Sequence, residues 1–189
     1  MPRITLPAPE AMTPEQKLVY DKVVSGPRGK IQGPLRAAIH NPELADRWQA
    51  LGALLRYDTS LNPRQSELAI LVTGRACNSP FEWYAHRLEG EKAGLSPQIL
   101  DALLAQEIPD DLDETEHAIV RFARELNQDN SVSDATYAQT LALLGERAIV
   151  ELTALVGYYT MVAMTLNTHE IPLPEGVAPA FPLPQRRGA

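Results

Sequence analysis

Apolar residues recur at three- and four-residue spacing along most of the chain. Five of these runs are opened by Thr, Asn or Ser followed directly by Pro. That pairing is a helix start, because the polar side chain accepts from the first free backbone N–H groups and Pro has no N–H to leave unpaired. Thr13–Pro14–Glu15–Gln16 adds a Gln three residues after the cap and predicts a helix from Pro14 to about Val24. A short helix is expected from Leu35 to Ile39. Asn41–Pro42 opens one that carries Leu44, Trp48, Leu51 and Leu55 on one face. Asn62–Pro63 opens the next, which runs through Glu67, Leu68, Ile70, Leu71 and Val72 to about Ala76. Ser79–Pro80 predicts a helix to near Ala93 with Gly94 just beyond it, and Ser96–Pro97 a short one to about Ala105. Further helices are expected from about Glu114 to Asn127, from Ser133–Asp134 to Leu144 with Gly145 as the stop, and from about Glu146 to Asn167.

Ser25–Lys30 and Ile108–Asp113 read as loops, and no segment alternates convincingly with period two. The expected class is therefore all-α. We read residues 1–189 as one domain with a helical core at about 42–168. The stretch 171–189 holds five of the sixteen prolines and cannot be helical. Its apolar residues, Ile171, Leu173, Val177, Phe181 and Leu183, predict an extended arm packed on the surface or on a neighbouring subunit.

Composition narrows the function classes. Hydrophobic residues make up 44% of the 189, enough for a packed core. The net charge of −7 argues against non-specific nucleic-acid or anionic-membrane binding. Cys77 is the single cysteine, so an intramolecular disulfide and a two-thiol redox cycle within one chain are both excluded. The start, MPRITLPAPE, has no signal-peptide apolar run. The most apolar helix, Ile149 to Leu166, is interrupted by Glu151, Thr153, Gly157, Tyr158, Tyr159 and Thr160. The expectation is a cytoplasmic protein with no membrane and no nucleic-acid partner.

The chemistry concentrates between Glu67 and His86. Glu67 lies mid-helix among apolar residues. A carboxylate there is desolvated, which suits proton transfer near neutral pH, or it bridges to Arg64 or Arg75 or faces solvent. Glu82 and His86 are four apart and share a helix face, so the carboxylate can orient the imidazole for proton relay. Ser79-x-x-Glu82 equally fits a capping box, which would occupy both residues without chemistry. Cys77, just before that helix, is a reactive thiol if its pKa is lowered, or a packed residue. His40, His117 and His169 lack partners at metal-ligand spacing, and no phosphate loop, dinucleotide fingerprint or nucleophile elbow is present. No metal and no cofactor are expected.

The run from Arg64 to Ser96, RQSELAILVTGRACNSPFEWYAHRLEGEKAGLS, resembles the carboxymuconolactone decarboxylase family, which includes the alkylhydroperoxidase D-like proteins. The resemblance is strongest over about residues 60 to 95. It implies an alkylhydroperoxidase D-like helical fold and a homo-oligomer: a dimer, trimer or hexamer. The peroxidase branch carries E-x11-C-x2-C-x3-H, in which two cysteines do the redox chemistry while the Glu and His relay protons. On this chain Glu67 and His86 take the Glu and His positions, and Ser79 and Glu82 fall where the cysteines stand. The dithiol mechanism therefore does not carry over, and Cys77 is two residues off the first thiol position. The decarboxylase branch has a carboxylate four residues before the histidine, as Glu82 and His86 do here.

Three readings follow. The first is a decarboxylase-like enzyme that acts on a small carboxylated lactone or related acid, with Glu67, Glu82 and His86 as its acid–base groups. The second is an alkylhydroperoxidase-type activity through Cys77 alone. The third is a non-catalytic helical oligomer. The first also needs a cation for its anionic substrate; Arg64 and Arg75 are near in sequence. The extra N-terminal helices and the proline-rich tail make the chain longer than a minimal decarboxylase subunit.

Overall fold

The structure is a computed structural model that describes residues 1–26 and 29–182. Among those residues every regular element is helical. A 3-10 turn at Pro9–Ala11 precedes α1 (Pro14–Ser25), α2 (Leu35–Ala38), α3 (Pro42–Tyr57), α4 (Pro63–Ala76) and α5 (Pro80–Lys92). Then come α6 (Pro97–Leu104), α7 (Glu114–Asp129) and α8 (Asp134–His169). All the predicted helices are present. Hydrogen bonding runs through α8 without a gap, yet Gly145 has φ 80° and ψ 170°, outside the helical region. The predicted stop is thus a kink between two helices that share one run.

The caps work as their chemistry requires. Thr13, Asn62 and Asp113 form complete capping boxes with Gln16, Gln65 and Glu116. The core is organised around α4, in which every residue from Ser66 to Gly74 is buried. It packs against α5, α7 and α8. Burying a large aliphatic side chain is worth about 1.5–3 kcal/mol, and α4 buries Leu68, Ile70 and Leu71 almost completely. A polar residue on this helix must find its partner inside the protein.

The longest helix has an 18-residue window of mean hydropathy 1.5, which by length and composition alone would cross a membrane. Half of that window is buried in the fold, where Leu152, Leu155 and Leu166 join the core. The sequence reading, which counted the polar interruptions, put this helix below that level.

The N-terminal extension lies over the end of α8, with Arg3 N donating to the His169 carbonyl at 2.9 Å. The ring Nε2 of His40 donates to the Thr5 carbonyl at 2.7 Å. The proline-rich arm packs on its own subunit. Ile171 is buried, and Phe181 meets Trp83 edge-on at 6.4 Å and lies under the Arg75 guanidinium at 4.7 Å. Residues 27–28 of the predicted loop and the arm's far end, 183–189, lie outside the described residues.

Candidate active site

Helices α4 and α5 form a tight hairpin joined by Cys77, Asn78 and Ser79. The turn is a Schellman motif: Asn78 is left-handed at φ 47°, its N–H donates to Arg75 O at 3.1 Å, and the Ser79 N–H donates to Gly74 O at 2.9 Å. Ser79 therefore closes α4 and begins α5 at the same time. A capping box needs the N-cap N–H to reach the side chain at N3, and here that N–H is already committed. The Ser79 hydroxyl makes no cap hydrogen bond and has no hydrogen-bond partner among the described residues, although it is fully buried. Its backbone ψ of 96° matches that of Asn41, whose longer side chain does reach its target, Leu44 N. The expected Ser79–Glu82 box is thus absent, and Glu82 makes its contacts elsewhere.

Those contacts are with His86. The imidazole stands between two buried carboxylates, with Nε2 3.5 Å from Glu82 Oε2 and Nδ1 2.7 Å from Glu67 Oε2. Since a carboxylate oxygen can only accept, the short contact has Nδ1–H donating to Glu67, and Nε2 faces Glu82. Glu67, Glu82 and His86 are 7%, 4% and 5% exposed, so little of each side chain meets bulk solvent. Gly74 makes the approach possible: a Cβ there would sit 3.1 Å from Glu82 Cβ. Glu67 and Gly74 are seven residues apart, two helical turns, so one face of α4 presents both to α5.

Neither arginine near Glu67 in sequence bridges to it. Arg64 pairs with Glu116 and donates to the Gly94 carbonyl. Arg75 donates to Leu104 O and Asn78 Oδ1. The cation at the site is Arg56, in the last turn of α3, which the sequence does not distinguish from an ordinary helix-end arginine. Burial works against its charge, but Tyr159, Tyr57, Glu67 and Glu89 together hold its pKa above the ordinary value. Tyr159, taken from sequence as core or subunit contact, packs edge-on against His86 at 4.9 Å. Burial, reinforced by Glu82 and Glu67 against the pull of Arg56, raises its phenol well above the usual range and keeps it neutral.

Two pockets meet this cluster. One of about 90 Å³ is lined by Arg56, Phe81, Glu82, His86, Glu89 and Tyr159, with Gln32 to Leu35 closing one side. The other, about 220 Å³, is lined by Arg56, Ser66, Glu67, Glu89 and Lys92. The Glu67–His86 hydrogen bond links residues of the two pockets, and Arg56 and Glu89 belong to both. Cys77 lines neither. Burial raises its thiol pKa, with Glu82 adding to the effect and Thr160 partly offsetting it. No group of three or more potential metal ligands occurs among the described residues.

Residues 42–125, from α3 into α7, match the carboxymuconolactone decarboxylase family. The match spans 84 of the 189 residues, and it is over this segment that the chain is similar to that family. The family segment contains α4, α5 and Arg56, while Tyr159 and the Gln32–Leu35 wall come from outside it. Solved structures share the fold over nearly the whole chain. A peroxidase-related protein from Ralstonia eutropha JMP134 with an alkylhydroperoxidase core superposes with a TM-score of 0.76 at 15% identity, covering 92% of this chain and 93% of that one. One from Silicibacter sp. TM1040 gives 0.75 at 15%, covering 90% and 91%. The debrominase Bmp8 gives 0.70 at 12%, covering 86% and 87%; one of its structures carries a cysteine-to-alanine substitution and is in complex with 2,3,4-tribromopyrrole. At these identities the likeness speaks for the fold alone. No curated protein matches the chain in sequence.

Proposed function

We propose that this protein is an acid–base enzyme of the decarboxylase type, acting on a small carboxylated lactone or related acid. The observation that supports this most is the Glu82–His86–Glu67 array, with Glu82 and His86 on a pocket and Glu67 behind the imidazole. In decarboxylation the C–C bond to the carboxylate breaks, carbon dioxide leaves, and the electron pair is held by the conjugated carbonyl of the lactone. A proton then has to reach carbon. His86 takes that proton at Nε2 from solvent in the pocket and delivers it to the carbon, while Nδ1–H stays on Glu67, so the ring carries a proton in and out without turning. The family match over residues 42–125 supports the same reading. The assembly we expect is a homo-oligomer; exposed Val150, Ala154, Gly157, Met161 and Met164 along one face of α8 favour it.

A panel of lactone acids and hydroperoxides tests the proposal against wild type, His86→Ala and Glu82→Gln. At least one lactone acid should release carbon dioxide with wild type, and each variant should lower that rate about 100-fold or more. Full activity in both variants sinks the reading. Peroxide consumption that stops on alkylation of Cys77 would favour the thiol alternative, against which its raised pKa already weighs.

A further inference from the structure

The guanidinium of Arg56 is half-buried, and among the described residues it has no hydrogen-bond or ion-pair partner. Its one ring contact is with Tyr57, at 5.4 Å. Most arginines so placed are tied to a carboxylate; Arg64, for comparison, is held by Glu116 and the Gly94 carbonyl. Five donors in a planar fork next to a pocket make a site for a planar anion. Glu89, which shares both pockets with Arg56, is already engaged by Lys92 at 2.9 Å. The pocket that holds Glu82 and His86 thus has one cation, Arg56, and two carboxylates, Glu82 and Glu89, among its described lining residues.

We propose that Arg56 binds the carboxylate of the substrate and that this pocket selects small monocarboxylates over dicarboxylates and neutral analogues. One guanidinium offsets one negative charge. A second carboxylate would face Glu82 and Glu89 with no cation to meet it, and in a partly desolvated pocket that repulsion is weakly screened. The pocket volume of about 90 Å³ sets the size of the ring that fits beside His86. The inference rests on the acid–base reading for the identity of the reacting groups, but the recognition itself is a binding property and can be measured without turnover.

Three ligands with one ring separate the cases: 2-furoate, 2-furamide and furan-2,5-dicarboxylate. Their dissociation constants are measured by protein-observed NMR titration on wild type, Arg56→Gln, Arg56→Lys and His86→Ala. Wild type should bind 2-furoate roughly tenfold or more tightly than 2-furamide, as a charge-assisted hydrogen bond predicts, and more tightly than the dicarboxylate. Arg56→Gln should lose that preference for furoate while its affinity for the amide holds, and Arg56→Lys should recover part of it. His86→Ala should keep the furoate preference while losing turnover, so failure of the proton-relay reading and failure of this one are distinguishable. Equal binding of furoate and amide by wild type, no furoate binding at millimolar concentration, or equal losses for both ligands in Arg56→Gln would each overturn the proposal.

Discussion

Helices α4 and α5 begin with the same local signature and use it differently. Asn62–Pro63–Arg64–Gln65 and Ser79–Pro80–Phe81–Glu82 each place a capping residue, a proline and a Gln or Glu at the third helical position. At α4 the box closes: Asn62 Oδ1 accepts from Gln65 N at 2.9 Å, and Gln65 Oε1 accepts from Asn62 N at 3.0 Å. At α5 the Ser79 N–H is taken by Gly74 O, the hydroxyl is idle, and Glu82 lies against His86. A three-residue connection makes the difference, because it asks one backbone N–H to end a helix that the motif would otherwise use to start one. The contrast teaches that a capping motif reports stability only where its N–H groups are free.

The largest expected effect lies in the paired substitutions at the third helical position. Glu82→Gln should lower turnover about 100-fold or more with a small change in melting temperature. Gln65→Ala should leave turnover unchanged and cost about 1 kcal/mol in denaturant unfolding. Equal activity losses at the two positions would erase the distinction between them.

Gly74→Ala probes the close approach that holds Glu82 in place. A methyl group at 3.1 Å from Glu82 Cβ must push the two helices apart. The expected cost is about 1–3 kcal/mol, with a parallel loss of turnover. Unchanged stability and turnover would mean that the hairpin tolerates a wider spacing than its geometry implies.

The caps themselves come next. Asn62→Ala should destabilise by about 1 kcal/mol. Ser79→Ala removes a buried hydroxyl without a hydrogen-bond partner among the described residues, so it should be neutral or slightly stabilising in the same denaturant titration. A loss at Ser79 as large as that at Asn62 would show that its hydroxyl caps α5 in solution.

The smallest effect concerns Cys77 in the connection. Its thiol pKa is raised by burial above that of a free thiol. For a group raised on folding, the stabilising contribution is present below the unfolded-state pKa, about 8.5, and is lost as pH climbs past it. Iodoacetamide should therefore label folded Cys77 more slowly than a free thiol at pH 8, and Cys77→Ala should flatten part of the stability decline above pH 9. Labelling faster than a free thiol would reverse the assignment and revive the peroxidase reading.

Most of the fold was legible before any coordinates. Each cap–proline pair opens a helix where it stands, and Gly145 breaks the last long run as its lack of a Cβ allows. The candidate residues Glu67, Glu82 and His86 were legible too, as an internal carboxylate and an i, i+4 pair on neighbouring helices. Their mutual contacts were not. The sequence left Glu67 a choice of Arg64, Arg75, solvent or a desolvated place, and long-range packing gave both arginines to other partners.

By itself the sequence determined the helices, their ends and the absence of a second thiol, because these depend on neighbours a few positions apart. Only the tertiary structure decided that Ser79 would not cap, that Glu82 would meet His86, and that Arg56 and Tyr159 would join them from α3 and α8. Those outcomes turn on a backbone N–H claimed by the preceding helix and on side chains brought together from distant positions, 73 residues apart between His86 and Tyr159. Local propensity carries no record of either.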